Sequence, residues 1–223
     1  MKSAEAVVFD FNGTLFFDYK ENRDAWNEIS REIRGREFTE DEYNSMMGMT
    51  DEECARRIIG DKRESELREV YEAKENIYLR LCRERHLSLE HEAQEFINHL
   101  KEDNIKVMIA SSAPKMNMDW YIENLGLDEL FDKDYIIAGR TDIPSKPAPD
   151  IFRLALSTSK TMPENAICFE DAPNGLRAAF ATPFNKVYCI SSPGFDDTVQ
   201  KTLAPVINWS YTLTQYSEVI RLV

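Results

Sequence analysis

No apolar run in this 223-residue chain approaches the roughly 18 residues needed to cross a bilayer, so a membrane-spanning protein is not expected. Cysteine is scarce. Cys54, Cys82, Cys168 and Cys189 are the four, and no two form a C-x-x-C pair, which argues against a disulfide framework or a zinc site. Cys168 and Cys189 sit inside apolar runs and read as buried thiols, so a reducing cytoplasm is the expected compartment. Histidine is scarcer still. His86, His91 and His99 fall in charged helical stretches without metal-ligand spacing and read as surface residues. Positive charge is in deficit, with 27 Lys+Arg against 40 Asp+Glu and a net charge of −13. Such a surface repels nucleic acid and anionic membranes. It does not exclude an anionic small molecule, because a bound metal can reverse the sign locally. Residues 1–6 place an acid ahead of a short apolar run that ends in Asp10, so no secretory signal is expected.

What the chain does have is 43% hydrophobic residues, enough for one sizeable core or a core plus a small second unit. Two textures divide it. From about Asn22 to His86 the pattern is helical and charged, with Trp26, Ile29 and Ile33 at helical spacing and Gly35 as a stop. Thr39 with Glu42 and Thr50 with Glu53 read as capping boxes. Residues 63–85 read as one long helix with Leu67, Val70, Tyr71, Tyr78 and Leu81 on one side. Elsewhere, short apolar runs at 6–9, 105–110, 135–138, 166–169 and 187–190 alternate with helical patterns that start near Pro114, Pro147 and Pro173. Repeated strand–helix units predict an α/β fold with a Rossmann-like three-layer parallel sheet. Ligands in such sheets bind at the carboxyl ends of the strands.

Four polar clusters stand at those ends: Asp10-Phe11-Asn12-Gly13-Thr14-Leu15, Ala110-Ser111-Ser112, Ser145-Lys146-Pro147-Ala148-Pro149-Asp150, and Glu170-Asp171-Ala172-Pro173-Asn174-Gly175. Converging on one edge, they would gather three carboxylates, a hydroxyl and an ammonium. Three carboxylates so close repel one another unless a hard cation is present, and Mg²⁺ prefers such oxygen ligands together with substrate phosphate. Asp10 is then a candidate nucleophile for an aspartyl-phosphate. Lys146 and Ser111 would hold the remaining phosphoryl oxygens.

These motifs, in this order and spacing, resemble the haloacid dehalogenase superfamily over essentially the whole chain. Within it the chain looks most like the β-phosphoglucomutase-type phosphatases and mutases. The resemblance implies Asp10 as nucleophile and metal ligand, with the backbone carbonyl of Asn12 as a second ligand. Ser111, Ser112, Gly13, Thr14 and Lys146 would bind phosphate. Glu170 and Asp171 would complete the metal site, with Asp171 the more direct ligand. It also implies an α/β core of residues 1–17 and 88–223, with a helical cap of residues 18–87 inserted after the first strand. Two departures stand out. Asn12 occupies the position where the family carries a second Asp as general acid and base. In the cap, Asn22 stands where phosphoglucomutase-type members carry a His, and the segment Gly48-Met49-Thr50-Asp51 lacks the basic residue that grips a second phosphate. Lys74 does match a cap lysine of that group.

The expected protein is a Mg²⁺-dependent phosphatase of a small phosphorylated metabolite, such as a sugar phosphate. It would be slowed by Asn12 and would act as a monomer or weak dimer without nucleic-acid or membrane partners. Three alternatives accompany this reading. One is a carbon–phosphorus bond hydrolase of the phosphonoacetaldehyde type, forming a Schiff base on Lys20, Lys62 or Lys74. The others are a phosphosugar mutase and a catalytically weak phosphometabolite-binding protein.

Overall fold

The computed structural model describes residues 2–46, 50–60, 63–140, 142–192 and 200–223, without the side chains of Asn44 and Gln200. Gly48, Met49 and Lys62 lie outside the described residues. The chain divides into two compact units, Asp18–Leu87 and the pair of segments Met1–Phe17 with Ser88–Val223.

The Asp18–Leu87 unit holds helices α1 (Tyr19–Arg34), α2 (Glu40–Asn44), α3 (Asp51–Ile59) and α4 (Glu64–Glu84). Trp26 and Ile29 of α1 are buried with Cys54, Ala55, Ile58 and Leu67. Gly35 ends α1 at φ +75°, a left-handed conformation that costs glycine little, and its N–H donates to the Arg31 carbonyl. Ile33 departs from the expected stripe. It is 45% exposed and lines an open groove of about 340 Å³ with Ile59 and Val70, because the helical stripe outlasts the side chains available to cover it. Both capping boxes form. The Thr39 hydroxyl accepts from Glu42 N–H at 3.2 Å while the Glu42 carboxylate accepts from Thr39 N–H at 2.9 Å. Thr50 and Glu53 repeat the exchange at 3.3 and 2.7 Å. A cap of this kind stabilises a helix by about 1 kcal/mol.

In the other unit, β1 (Ala6–Phe9), β2 (Lys106–Ala110), β3 (Ile136–Ile137), β4 (Ala166–Glu170), β5 (Lys186–Ile190) and β6 (Val206–Ile207) form one parallel sheet in the order β3-β2-β1-β4-β5-β6. Its helices are α5 (His91–Glu102), α6 (Lys115–Leu125), α7 (Leu127–Leu130), α8 (Asp150–Ser159), α9 (Pro173–Phe180), α10 (Trp209–Thr214) and α11 (Tyr216–Ile220). Every residue of β1 is fully buried, as a strand covered on both faces requires. Alternation sorts the side chains. Ala6, Val8, Met108, Ala166 and Cys168 pack with Phe152 of α8 and Leu176 of α9. On the opposite face Phe9 stacks on Phe169 at 5.3 Å, Phe169 on Trp209 at 5.6 Å, and Phe96 of α5 meets Phe9 edge-on at 6.4 Å. Such aromatic pairs add about 0.5–1.5 kcal/mol each beyond the area they bury.

Two sequence expectations are corrected here, and one strand is added. Pro147 does not open a helix. Ala148 N–H donates back to Ser145 O at 3.0 Å in a turn, and α8 starts only at Asp150. The third run shrinks to the two residues of β3. β6 has no counterpart in the sequence reading, because two residues after Pro205 carry no periodicity.

The four cysteines are free and buried. Burial pushes the Cys54 and Cys82 thiols up to about 12 and holds Cys168 well above the ordinary range. At pH 8 the native protein should react with Ellman's reagent at none of the four thiols within minutes, and at all four in guanidinium. The native state holds these protons more tightly than the unfolded chain does. Stability is therefore fully present below the ordinary thiol value of 9.0 and falls as pH rises toward about 12. The urea midpoint should drop between pH 8 and 11, and Cys54→Ala/Cys82→Ala should flatten that drop.

Candidate active site

Strand register explains where the acids meet. Phe9 pairs with Phe169, and Asp10 N–H continues the ladder to Phe169 O at 2.9 Å. Asp10 therefore emerges beside Glu170. Residues 6, 8, 10 and 166, 168, 170 share one face by the two-residue alternation. Lys146, in the loop ahead of α8, reaches that face. Its Nζ lies 2.5 Å from Asp10 Oδ1 and 2.8 Å from Glu170 Oε1, above the Phe152 ring at 4.7 Å. Asp171 follows by one residue, and carboxylate oxygens of Asp10, Glu170 and Asp171 lie within 4.8 Å of one another.

All three acids are buried. Burial opposes the charge on Lys146, but Asp10 and Glu170 outweigh it and hold the ammonium above its ordinary pKa. One ammonium against three carboxylates leaves two negative charges in excess. Like charges about 4 Å apart repel by about 4 kcal/mol at a protein-like effective dielectric. A divalent cation cancels the excess, and an all-oxygen donor set suits a hard ion such as Mg²⁺ rather than zinc.

Two glycines make room for the acids. Gly13, at φ +80°, could not carry a Cβ, which would lie 2.0 Å from Asp171 Oδ2. A Cβ on Gly175 in the first turn of α9 would lie 1.5 Å from Glu170 Oε1. Gly175 escaped the sequence reading as a site residue, although it stands in the quoted motif. The other Glu170 oxygen accepts from Ala172 N–H at 2.7 Å, just ahead of α9, whose N-terminus favours negative charge.

Ser111 follows β2 at the same edge and is buried. Its Oγ accepts from Ala113 N–H at 3.0 Å, whereas Ser112 is exposed. Thr14 is buried and its hydroxyl donates to Asp171 Oδ1 at 3.3 Å. Asn12 Nδ2 donates to the hydroxyl of Tyr121 at 3.0 Å. Tyr121, on α6, reads from sequence as ordinary packing. It is indeed buried, with ring centroids 4.6 Å from Phe11 and 5.5 Å from Phe16, but its hydroxyl serves the turn that carries Asn12.

Asn22 and Lys74 belong to the Asp18–Leu87 unit. Asn22 is half-buried in the first turn of α1. Lys74 is buried, 2.7 Å from Glu75 Oε1 and 3.5 Å from Asp51 Oδ1, with the rings of Trp26 and Tyr78 each 5.3 Å from its Nζ. Burial would favour the neutral amine, yet Asp51 and Glu75 outweigh it and raise the pKa. Lys20 is exposed.

A family model for haloacid dehalogenase-like hydrolases matches residues 4–181. The chain is 29% identical to a phosphorylated carbohydrates phosphatase of Thermotoga maritima, over 82% of this chain and 84% of that protein. It is 31% identical to protein CbbY of Cereibacter sphaeroides, over 86% and 85%. The crystal structure of a hydrolase of family IA, variant 3, from Entamoeba histolytica superposes with a TM-score of 0.85 at 30% identity, covering 91% of this chain and 92% of that one.

Magnesium at ten times its dissociation constant should stabilise the native state by about 1.4 kcal/mol. For a chain of this size that raises the thermal midpoint by about 3–6 °C. Gly175→Ala should abolish the shift by displacing the Glu170 carboxylate; an unchanged shift in a differential scanning experiment would show that Glu170 takes no part in holding the ion.

Proposed function

The chain belongs to the haloacid dehalogenase-like hydrolases, and from that premise we propose a divalent-metal-dependent phosphoric monoester hydrolase acting on a small phosphorylated metabolite. The observation that carries this reading is the buried cluster of Asp10, Glu170 and Asp171 with Lys146 at the carboxyl ends of β1 and β4. A carboxylate nucleophile, a cation to neutralise phosphate and an ammonium for phosphoryl oxygens are what transfer through an aspartyl-phosphate needs. Asp10, Glu170, Asp171 and the backbone carbonyl of Asn12 would hold magnesium, which supplies neutralisation of the incoming phosphate's charge.

The chain's own residues divide the remaining work. Asp10 attacks phosphorus, and Lys146 orients Asp10 while drawing charge from a phosphoryl oxygen. Ser111 donates to another phosphoryl oxygen, with Ser112 and the Gly13 turn beside it. Thr14 gives its hydroxyl to Asp171, so its part is to orient that ligand rather than to grip phosphate. The likeness to a phosphorylated carbohydrates phosphatase supports a sugar phosphate as the substrate class. The Asp18–Leu87 unit is assigned the role of cap, choosing the substrate, with Asn22 and Lys74 as its candidate contacts. The net charge of −13 argues against nucleic acid as a partner. Among the described residues no helix is long and apolar enough to cross a membrane.

Schiff-base chemistry is disfavoured at Lys74. Such chemistry starts from a neutral amine, and Asp51 and Glu75 keep this one charged.

Phosphate release from a panel of sugar phosphates tests the proposal. Asp10→Asn should fall to the no-enzyme background. Asp171→Asn should raise the magnesium concentration for half-maximal rate at least about tenfold, the loss of about 1.4 kcal/mol of binding. Activity that survives Asp10→Asn, or that persists in EDTA, would overturn the mechanism.

A further inference from the structure

Ion pairs bridge one half of the seam between α1 and α4, which run side by side in opposite directions. Arg85, just past α4, meets Glu21 at 2.9 Å, and Arg80 meets Glu28 at 2.8 Å. These contacts lie toward the unit's boundaries at Asp18 and Leu87. Toward the far ends of both helices the seam widens into the groove of about 340 Å³. Ile29 and Ile33 of α1 and Val70 and Ala73 of α4 line it, with Ile59 from the end of α3. Ile29 is buried, Ile59 and Val70 are half-buried, and Ile33 and Ala73 are exposed.

Glutamates supply the rest of the lining. Glu32 stands on the α1 side, and Glu66 and Glu69 stand on the α4 side. Arg63 approaches Glu66 to 3.5 Å from an exposed side chain. Three carboxylates around one guanidinium leave this rim negative among the described residues, on a chain whose net charge is −13. An apolar furrow between shoulders of one sign suits a protein contact, whose centre excludes charge and whose rim selects the partner by sign. From Glu66 to Ala73 the α4 side runs two helical turns, about 10 Å at the helical rise. Residues i, i+4 and i+7 of an incoming helix cover the same span.

We propose that this groove docks a basic amphipathic helix of a partner protein, its apolar stripe laid between α1 and α4 and its Lys or Arg side chains set over Glu32, Glu66 and Glu69. The proposal goes beyond the phosphatase reading and does not depend on it. A helix suits the furrow because the side-chain ridges of one helix pack into the grooves that others leave. The sign of the rim disfavours a second copy of this chain as the occupant. A two-fold contact puts the same patch on both sides, and here it would set glutamates against glutamates. The contact is small, so it belongs with transient encounters, whose formation is steered by charge and weakened by salt.

The test is a methyl NMR titration of the full chain, labelled at isoleucine and valine. The probe is a helical peptide of about five turns with leucine at i, i+4 and i+7 and lysine on both flanks. A second peptide carries glutamate in place of every lysine. The lysine peptide should shift the methyls of Ile29, Ile33, Ile59 and Val70 with a Kd of about 100 µM or tighter, and bind less well as salt rises toward about 0.5 M. The glutamate peptide should bind at least about tenfold more weakly. Glu32→Lys/Glu69→Lys should reverse that preference, and Ile33→Asp should weaken the lysine peptide at least about tenfold. The replaced side chains are exposed, so both variants should keep the thermal midpoint within about 2 °C. The comparison of the two peptides on the unaltered protein decides the matter whether or not a variant folds. Equal affinity for the two peptides, shifts centred outside the groove, or no shifts overturns the proposal. So does a concentration-dependent dimer that shifts the same methyls, because a second copy would then be the occupant.

Discussion

The contact between Lys146 and the carboxylates of Asp10 and Glu170 is the constraint around which the α/β unit is arranged. A buried ammonium keeps its charge beside acids, and buried acids keep theirs beside an ammonium, a metal or hydrogen-bond donors. Here three acids face one ammonium, so further positive charge would relieve their mutual repulsion. That imbalance is the physical reason to look for an ion at this point.

Much of the local architecture serves to hold these charges at short range. Paired register between β1 and β4 sets Asp10 next to Glu170. The missing side chains of Gly13 and Gly175 leave the space that Asp171 and Glu170 fill. The aromatic stack of Phe9, Phe169 and Trp209 stiffens the opposite face of the same two strands. Trp209 also donates from Nε1 to the carbonyl of Thr14 at 2.9 Å, tying the turn after the nucleophile to α10. Pre-organisation of this kind matters more than the strength of any single contact, because the ligand oxygens must not relax when charge develops.

Features whose cause lies within a few residues were readable in the sequence. The capping boxes at Thr39 and Thr50, the stop at Gly35 and the buried run of β1 all follow from local chemistry, and the structure contains them. The parallel sheet was readable from the alternation of runs, though not the order of its strands, and so was the family, which the match over residues 4–181 establishes. What stayed hidden depends on distant partners. Tyr121 lies 109 residues from Asn12, and nothing in the pattern of α6 separates it from core packing. Asp51 lies 23 residues from Lys74, so the sequence shows a cap lysine but not the second of the acids that hold its charge. The two residues of β6 are too short to be periodic, and their place beside β5 comes from the tertiary fold.

The span of chain between the cluster's members has a kinetic meaning. Asp10 and Lys146 are 136 residues apart, and Trp209 reaches back 195 residues to Thr14. Contacts of such sequence separation form only after long loops have been closed, which slows the folding of parallel sheets. Until β1 and β4 are zipped together, the acids remain in water and have no reason to attract an ion. Under the proposed reading, a cation held by Asp10, Glu170 and Asp171 would clasp the first strand to the fourth, and so would act on the pairing of two strands rather than on one loop.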